Sequence, residues 1–131
     1  MDVARPALEA GAQAAGRPTP PLIGHVPVAL SEDREAVRAA ARPQLATYGR
    51  LPFYARMFGD AGFPVGADGT MPDALLDELV VSGSPDAVAA RLRQIQAAGV
   101  DELLVMRVAV HDADAEDDAL LGVLARESAA S

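Results

Sequence analysis

The sequence lacks cysteine and tryptophan, and it carries too few basic residues to balance its acidic ones. Without cysteine there is no disulfide framework, no thiolate nucleophile and no cysteine-based zinc site, and a reducing cytoplasm is the expected compartment. Lys and Arg number 11 against 19 Asp and Glu, for a formal net charge of -8. Because phosphate backbones and anionic lipids are bound by clustered cations, we expect neither a nucleic-acid nor a membrane partner. No apolar run approaches the ~18 residues of a spanning helix.

The remaining composition is that of a globular domain whose core contains few large side chains. Hydrophobic residues make up 50% of the 131 residues, whereas aromatic residues make up only 4%. We therefore expect the core to be packed with Leu, Val, Ile and Met, because small side chains contribute little buried area each. A chain of this length allows one domain, residues 1–131, and hardly two.

Apolar runs that alternate with helical patterns predict an α/β fold with a parallel sheet. Leu22–Leu30 and Leu103–Met106 are expected to be strands buried on both faces, although Pro27 argues against a central position for the first of them. Two strands are too few for an independent sheet, so the chain is expected to belong to a larger structure. The other predicted segments are a first helix over residues 1–16 with Gly16 as its left-handed cap, a helical excursion over residues 32–81, and a terminal helix with a frayed tail over residues 112–131.

Local signals predict where individual helices begin. Ser31 is predicted to cap a helix that runs to about Arg42 with Val37 and Ala41 facing inward, and Pro43 to kink or restart it. Pro72 is predicted at the first position of a short helix. The strongest signal lies at Ser84, the predicted N-cap of a helix with Pro85 at its first position, Asp86 beside its positive end and an apolar face of Val88, Leu92 and Ile95. In the terminal helix the residues predicted to face inward are Leu120, Leu121 and Leu124.

Three segments carry a family resemblance when they are taken in order. They are AGRPTPPLIGHVPVALSED, ARPQLATYGRLPFYARMFGDAGFP and VVSGSPDAVAARLRQIQAAGVDELLV. From about Leu8 to Val108 the chain resembles the C-terminal portion of luciferase-like monooxygenases, most of all the F420-dependent oxidoreductase branch common in high-GC actinobacteria. The resemblance implies a (β/α)8 barrel in which hydride passes between a deazaflavin or flavin and an organic substrate.

Under this resemblance Leu22–Leu30 corresponds to strand seven of the barrel and Leu103–Met106 to strand eight. A complete barrel needs ~250 residues and eight strands, so the chain offers about half of the residues. We therefore expect the C-terminal part of a TIM-type barrel, incomplete as a barrel and inactive without its N-terminal half. The cofactor that the resemblance implies is F420. FMN stays open as the alternative, because the family's phosphate loop, which contacts the cofactor, has no counterpart in this chain.

Gly83 and Ser84 are the candidate cofactor-binding residues, because the N–H groups that open a helix can hold a phosphate or carboxylate. An ordinary N-cap is the interpretation that we favour. His25 could point into a barrel as an acid, base or donor, although a packed histidine is commoner. A possible substrate pocket is lined by Tyr48, Phe53, Tyr54, Met57 and Phe58, for which a place in the core is the favoured alternative.

His111 follows the second strand, where the catalytic residues of barrels gather. The run HDADAEDD that begins there is similar to an oxygen-ligand cation site, but it lacks the glycine and the final glutamate of a calcium loop. We favour a solvated acidic helix start, and we predict no metal. No residue is assigned a catalytic role from the sequence.

Two hypotheses of different class remain open. In the first, the chain is the C-terminal fragment of an F420-dependent oxidoreductase that acts on a small-molecule substrate once its missing half is supplied. In the second, it is a non-catalytic module that self-associates through exposed strand edges and forms a homo-oligomer.

Overall fold

A computed structural model describes residues 4–129, and the parts of the predicted first helix and tail at residues 1–3 and 130–131 lie outside this range. The predicted first helix is confirmed from Ala4, and Gly16 follows it with the predicted left-handed φ of 62°. Within residues 4–129 no helix is long and apolar enough to cross a membrane. The elements in chain order are α1 (Ala4–Ala14), β1 (Ile23–Ala29), α2 (Arg34–Arg50), α3 (Pro52–Asp60), α4 (Asp73–Leu79), β2 (Val81–Ser82), α5 (Pro85–Ala97), β3 (Glu102–Arg107) and α6 (Ala113–Ala129).

The described residues form one parallel sheet in the order β2-β1-β3, so the predicted α/β class is confirmed. The sequence predicts about two strands and an extended stub after the helix that begins near Pro72, and in the structure this stub is a third strand, β2. β2 contributes only Val81 and Ser82, which pair with Val28 and Ala29 of β1. A two-residue strand is too short to leave a periodic pattern in the sequence, and its pairing with β1 exists only in the folded chain.

Pro27 lies in the central strand, β1, although a proline was expected to argue against a central position for this strand. The carbonyl of Ala29 accepts a hydrogen bond from the N–H of Gly83 on the β2 side, and Pro27, two residues earlier, directs its nitrogen to that same side. β2 begins only opposite Val28, so no ladder hydrogen bond is demanded of Pro27. A proline is tolerated in a strand where its missing N–H has no acceptor to serve.

The expectation that both strands are buried on both faces is also wrong. Only the second half of β1, Val26–Ala29, is buried, and Ile23 at its start is 56% exposed. In β3, Leu104 is 58% exposed and its neighbours are only partly covered. The physical reason is that, on the face of Ile23 and Leu104, helices α2–α4 pack only over the carboxyl ends of the strands. The amino-terminal ends of the strands are left uncovered on that face.

Helices lie on both faces of the sheet and define two hydrophobic clusters. The first cluster joins Ala29 and Val108 to α2, α3 and α4, and it contains the predicted inward-facing residues Val37 and Ala41. The second joins Val26 and Val28 to α5 and α6 on the opposite face. The principal α5 and α6 residues of the second cluster are Val88, Leu92, Ile95, Leu120 and Leu124.

Several predicted helix details are corrected. Asp33, not Ser31, caps α2, because its Oδ1 accepts the N–H groups of Glu35 and Ala36 at 3.1 Å, whereas the Ser31 hydroxyl only accepts the N–H of Asp33. Pro43 does not restart a helix, because α2 continues through it to Arg50. Pro43 is exposed, as is Ala39, whose carbonyl loses its usual partner and can reach water instead.

The remaining corrections concern α4 and α6. Pro72 occupies the N-cap position of α4, one residue before its predicted place. Leu121 is 63% exposed, and Val123 takes the buried position in α6 together with Leu120. The terminal helix extends through Ala129, and the predicted fraying of residues 128–131 stays a prediction.

Two contacts fix α2 against the segments that follow it. Arg38 donates to both carboxylate oxygens of Asp77 in α4, at 2.8 Å from Nε and 2.5 Å from Nη2. This hydrogen-bonded guanidinium, with its positive charge, lowers the pKa of Asp77 below its usual range. Near the end of α2, the backbone of Gly49 lies so close to Gly69 that a Cβ built on Gly49 would be 2.1 Å from the Gly69 carbonyl oxygen.

Candidate functional site

The three parallel strands end at one edge of the sheet, and a helix begins just beyond each of them. In open α/β sheets this carboxyl edge is where ligands usually bind. The three helix starts are capped by side chains of the chain itself, Asp33 for α2, Ser84 for α5 and Asp112 for α6. Each candidate residue at this edge can therefore be judged by what its polar atoms already contact.

Gly83 and Ser84 connect the short strand β2 to α5. The predicted N-cap is confirmed, because the Ser84 hydroxyl accepts the N–H of Ala87 at 3.3 Å. Gly83 has a φ of 142°, which favours glycine, and its N–H donates to the Ala29 carbonyl at 3.3 Å. Both residues thus stabilise the start of α5 through hydrogen bonds within the chain. Their proposed contact with a cofactor stays a prediction.

Several carboxylates of the acidic run after β3 already accept hydrogen bonds from nearby backbone N–H groups. Asp112 accepts the N–H groups of Asp114 and Ala115 at 3.1 Å, and the Glu116 carboxylate accepts those of Val110 and His111 at 2.9 and 2.8 Å. Farther along the run, Asp117 pairs with Arg107, while Asp118 is exposed. Within residues 4–129 no group of three or more His, Asp or Glu side chains is arranged to hold a metal ion. The run therefore forms the start of α6.

An apolar pocket of about 160 Å³ opens on the sheet face that carries His25. It brings together most of the aromatic residues singled out in the sequence with the histidine predicted from a different segment. Phe53 does not line it, but its ring packs edge-on against Tyr54. The lining residues are His25, Pro27, Leu45, Tyr48, Tyr54, Met57, Phe58, Leu79 and Met106.

The register of β1 against β3 explains why this face forms one wall. His25 pairs with Leu104, and Pro27 pairs with Met106, so these four side chains share a face. Met106 was not singled out from the sequence, because its place beside Pro27 depends on pairing between distant segments. The only local signal for it was its position within an apolar run.

The aromatic side of the pocket is built by α2 and α3. The rings of Tyr48 and Tyr54 meet at a centroid distance of 5.0 Å and an angle of 81°, and Tyr54 lies 6.1 Å from Phe58. Edge-on ring pairs of this kind add to the stability given by burial alone. Phe58 is buried, so it anchors α3 to the core, whereas Met57 at the mouth is 44% exposed.

Comparison with known proteins decides the family. The family model described as luciferase-like monooxygenase matches residues 1–102, which include α1, β1, the helices between β1 and β2, and α5. The chain belongs to the luciferase-like monooxygenase family. No curated protein and no solved structure gives a match. Luciferase-like monooxygenases adopt a TIM-type barrel and use flavin or F420 cofactors.

The described residues do not by themselves enclose the cofactor of a luciferase-like monooxygenase. The apolar pocket of about 160 Å³ is smaller than the roughly 300–1,000 Å³ of sites that hold drug-sized ligands. At the helix start that could hold a phosphate, the Ser84 hydroxyl and the Gly83 N–H are already engaged, and the Asp86 carboxylate adds negative charge. The described residues therefore do not hold such a cofactor by themselves.

Proposed function

We propose that the chain is the C-terminal part of an F420-dependent oxidoreductase, in which hydride passes between the deazaflavin and an organic substrate. The observation that carries this proposal is the match of the luciferase-like monooxygenase model to residues 1–102. The chain's contribution would be the wall formed by His25, Met106 and the aromatic residues of α2 and α3. In such enzymes the cofactor supplies the redox chemistry, and the protein orients the reactants and excludes water.

The shape of the sheet supports a contribution shared with further strands. β3 is an edge strand, and on the face of His25 the side chains of Ile23 and Leu104 are more than half exposed. A closed barrel has no free edge, and its inward-facing side chains are packed in layers. Strands from an N-terminal half would cover this face and complete a cavity large enough for a cofactor.

Within this wall, the proposal gives each group a limited role. His25 is exposed on the face and could donate or accept a hydrogen bond at a substrate oxygen. Tyr48, Tyr54 and Met106 would keep water from one side of the substrate. Gly83 and Ser84 lie at the carboxyl edge; because their own polar groups are engaged, an anionic group of the cofactor would be attracted there only by the positive end of α5.

Two alternatives to this proposal differ from it in the cofactor or in the absence of catalysis. An FMN-dependent monooxygenase of the same family would keep the wall and change the cofactor. A non-catalytic module is favoured by the free edge of β3, through which two copies could pair.

The test is complementation with a family member of known cofactor. The chain, carrying an affinity tag, is co-expressed with the first six barrel strands of an F420-dependent luciferase-like enzyme, and the purified complex is titrated with F420 and with FMN. We expect a one-to-one complex that binds F420 more tightly than FMN, while the chain alone binds neither. Preference for FMN would overturn the F420 assignment. A stable homodimer that forms no complex would favour the non-catalytic module.

A further inference from the structure

The pocket beside His25 has an aromatic and thioether-rich lining with a polar group on the sheet side. We propose that it binds a small, neutral aromatic ring that carries a hydroxyl group, with the ring against Tyr48, Tyr54 and Met106 and the hydroxyl hydrogen-bonded to His25. As the assignment of a substrate class this inference rests on the proposed function. As a binding site it rests on the pocket alone.

The volume of the pocket accommodates one ring. Its volume of about 160 Å³ is close to that of the ~150 Å³ apolar cavity that accepts benzene in an engineered protein. A fused two- or three-ring system would need a site nearer to ~300 Å³. A single six-membered ring with one substituent therefore fits the pocket, and a flavin ring system does not.

The lining selects an aromatic ring over an aliphatic one. Tyr54 already holds Tyr48, Phe53 and Phe58 at centroid distances of 5.0–6.1 Å, the spacing at which a further ring would also be attracted. Met57 and Met106 add flexible thioether groups, which make favourable contacts with ring edges. A saturated ring of the same size would gain contact area but neither of these interactions.

The charge of the lining selects a neutral ligand with one polar group. No Asp, Glu, Lys or Arg lines the pocket, so a carboxylate or phosphate on the ring would lose hydration without gaining a counter-charge from a permanently charged residue. His25 stands on the sheet side with nitrogen atoms that can donate to or accept from a hydroxyl group. A phenol-type hydroxyl satisfies this requirement, since it can do either.

The methionine methyl groups provide the readout. We would label them with carbon-13 and titrate the full chain with phenol, toluene, cyclohexanol and benzoate, following the methyl signals by NMR. Met57 and Met106 line the pocket, whereas Met71 is buried in the core, is not among the lining residues and serves as an internal reference. We expect phenol to shift Met57 and Met106 with a Kd of about 1–10 mM, the range open to so small a ligand, and to leave Met71 in place.

The other ligands and two variants isolate each part of the proposal. Toluene should bind about threefold to tenfold more weakly than phenol, the worth of one hydrogen bond, and His25→Phe should remove this difference. Met57→Trp should fill the mouth and weaken phenol binding at least tenfold, as reported by Met106. Leu121→Ala, at an exposed position on α6, is the control that should change nothing.

Several outcomes would overturn the inference. They are the absence of shifts at tens of millimolar phenol, equal binding of phenol and toluene, tighter binding of benzoate or cyclohexanol than phenol, and unchanged binding in Met57→Trp. Its failure is distinct from that of the proposed function. Ring binding without an F420-loaded complex would keep the pocket and reject the F420-dependent oxidoreductase, and the reverse result would reject only the pocket.

Discussion

The crossing of α2 with the loop before α4 gives a prediction that runs against the usual rule for glycine in a helix. Replacing glycine by alanine inside a helix ordinarily stabilises a protein by about 0.5–1 kcal/mol, because glycine loses more backbone freedom on folding. At Gly49 in α2 we expect the opposite sign. The Cβ of Gly49→Ala would lie 2.1 Å from the carbonyl oxygen of Gly69 and 3.2 Å from its carbonyl carbon.

The magnitude follows from how far the loop must move. Ordinary van der Waals contact begins near 3.4 Å, and the atom in the way is backbone, which cannot rotate aside as a side chain can. Overpacking of this kind costs about 1–3 kcal/mol, and the usual helical gain offsets part of it. We therefore expect Gly49→Ala to lower the free energy of unfolding by about 2 kcal/mol.

The matched control is Gly122→Ala in α6, where a Cβ would meet nothing within 4 Å. It should raise the free energy of unfolding by about 0.5–1 kcal/mol. Urea denaturation followed by circular dichroism measures both variants against the parent chain. If Gly49→Ala is as stable as Gly122→Ala, the close approach of α2 to the loop before α4 is absent and the prediction is wrong.

Other substitutions test the core, the cap and one ion pair. Leu76→Ala, at a position that is 1% exposed, should cost about 2–5 kcal/mol in urea denaturation, whereas Leu121→Ala should stay within about 0.5 kcal/mol of the parent. Ser84→Ala should cost about 1 kcal/mol; unchanged stability with weaker F420 binding in the complemented enzyme would instead support the cofactor role. The Arg38 hydrogen bond lowers the pKa of Asp77 in the folded chain. The contribution of ionised Asp77 to the free energy of unfolding is therefore complete above the unfolded pKa of about 3.9, and it is lost as the pH falls through the lower native pKa. Unfolding free energies measured from about pH 5 down to about pH 2 should therefore fall less steeply in Asp77→Asn, and equal slopes would contradict this.

Features that depend on neighbouring residues could be predicted from the sequence. The start of α5 is an example, since the Ser84 hydroxyl bonds to an N–H only three residues away and Pro85 suits the first helical position. The apolar spacing of Val88 and Leu92 likewise reports one face of a single helix. The α/β class followed from the alternation of such segments.

Features that depend on distant pairing could not be predicted in the same way. The exposure of Leu104 is set by how far α2–α4 extend over the sheet, which no local pattern records. The pocket was half predicted: its aromatic residues and His25 were singled out, but separately. Their meeting required the register that places Pro27 beside Met106.

The sequence also could not predict which of two nearby, chemically similar residues caps a helix or is buried. Ser31 and Asp33 are both good caps, and only the turn geometry after β1 decides for Asp33. In α6, Leu121 looked more suited to the core than Val123, yet packing against α5 fixes the rotation of the helix and buries Val123. The sequence limits such choices to a few residues, and tertiary contacts select among them.

Pro27 makes the two edges of the sheet unequal as templates for aggregation. A chain that tried to extend the ladder along β1 on the β2 side would meet a missing donor at Pro27, and prolines at strand edges are a known protection against such growth. β3 has no proline, and its residues offer an uninterrupted row of outward-facing backbone groups. Misassembly of the purified chain, in inclusion bodies or on storage, should therefore begin at β3, and a single proline placed there at an outward-facing position such as Val105 would be the most direct way to keep the protein dispersed.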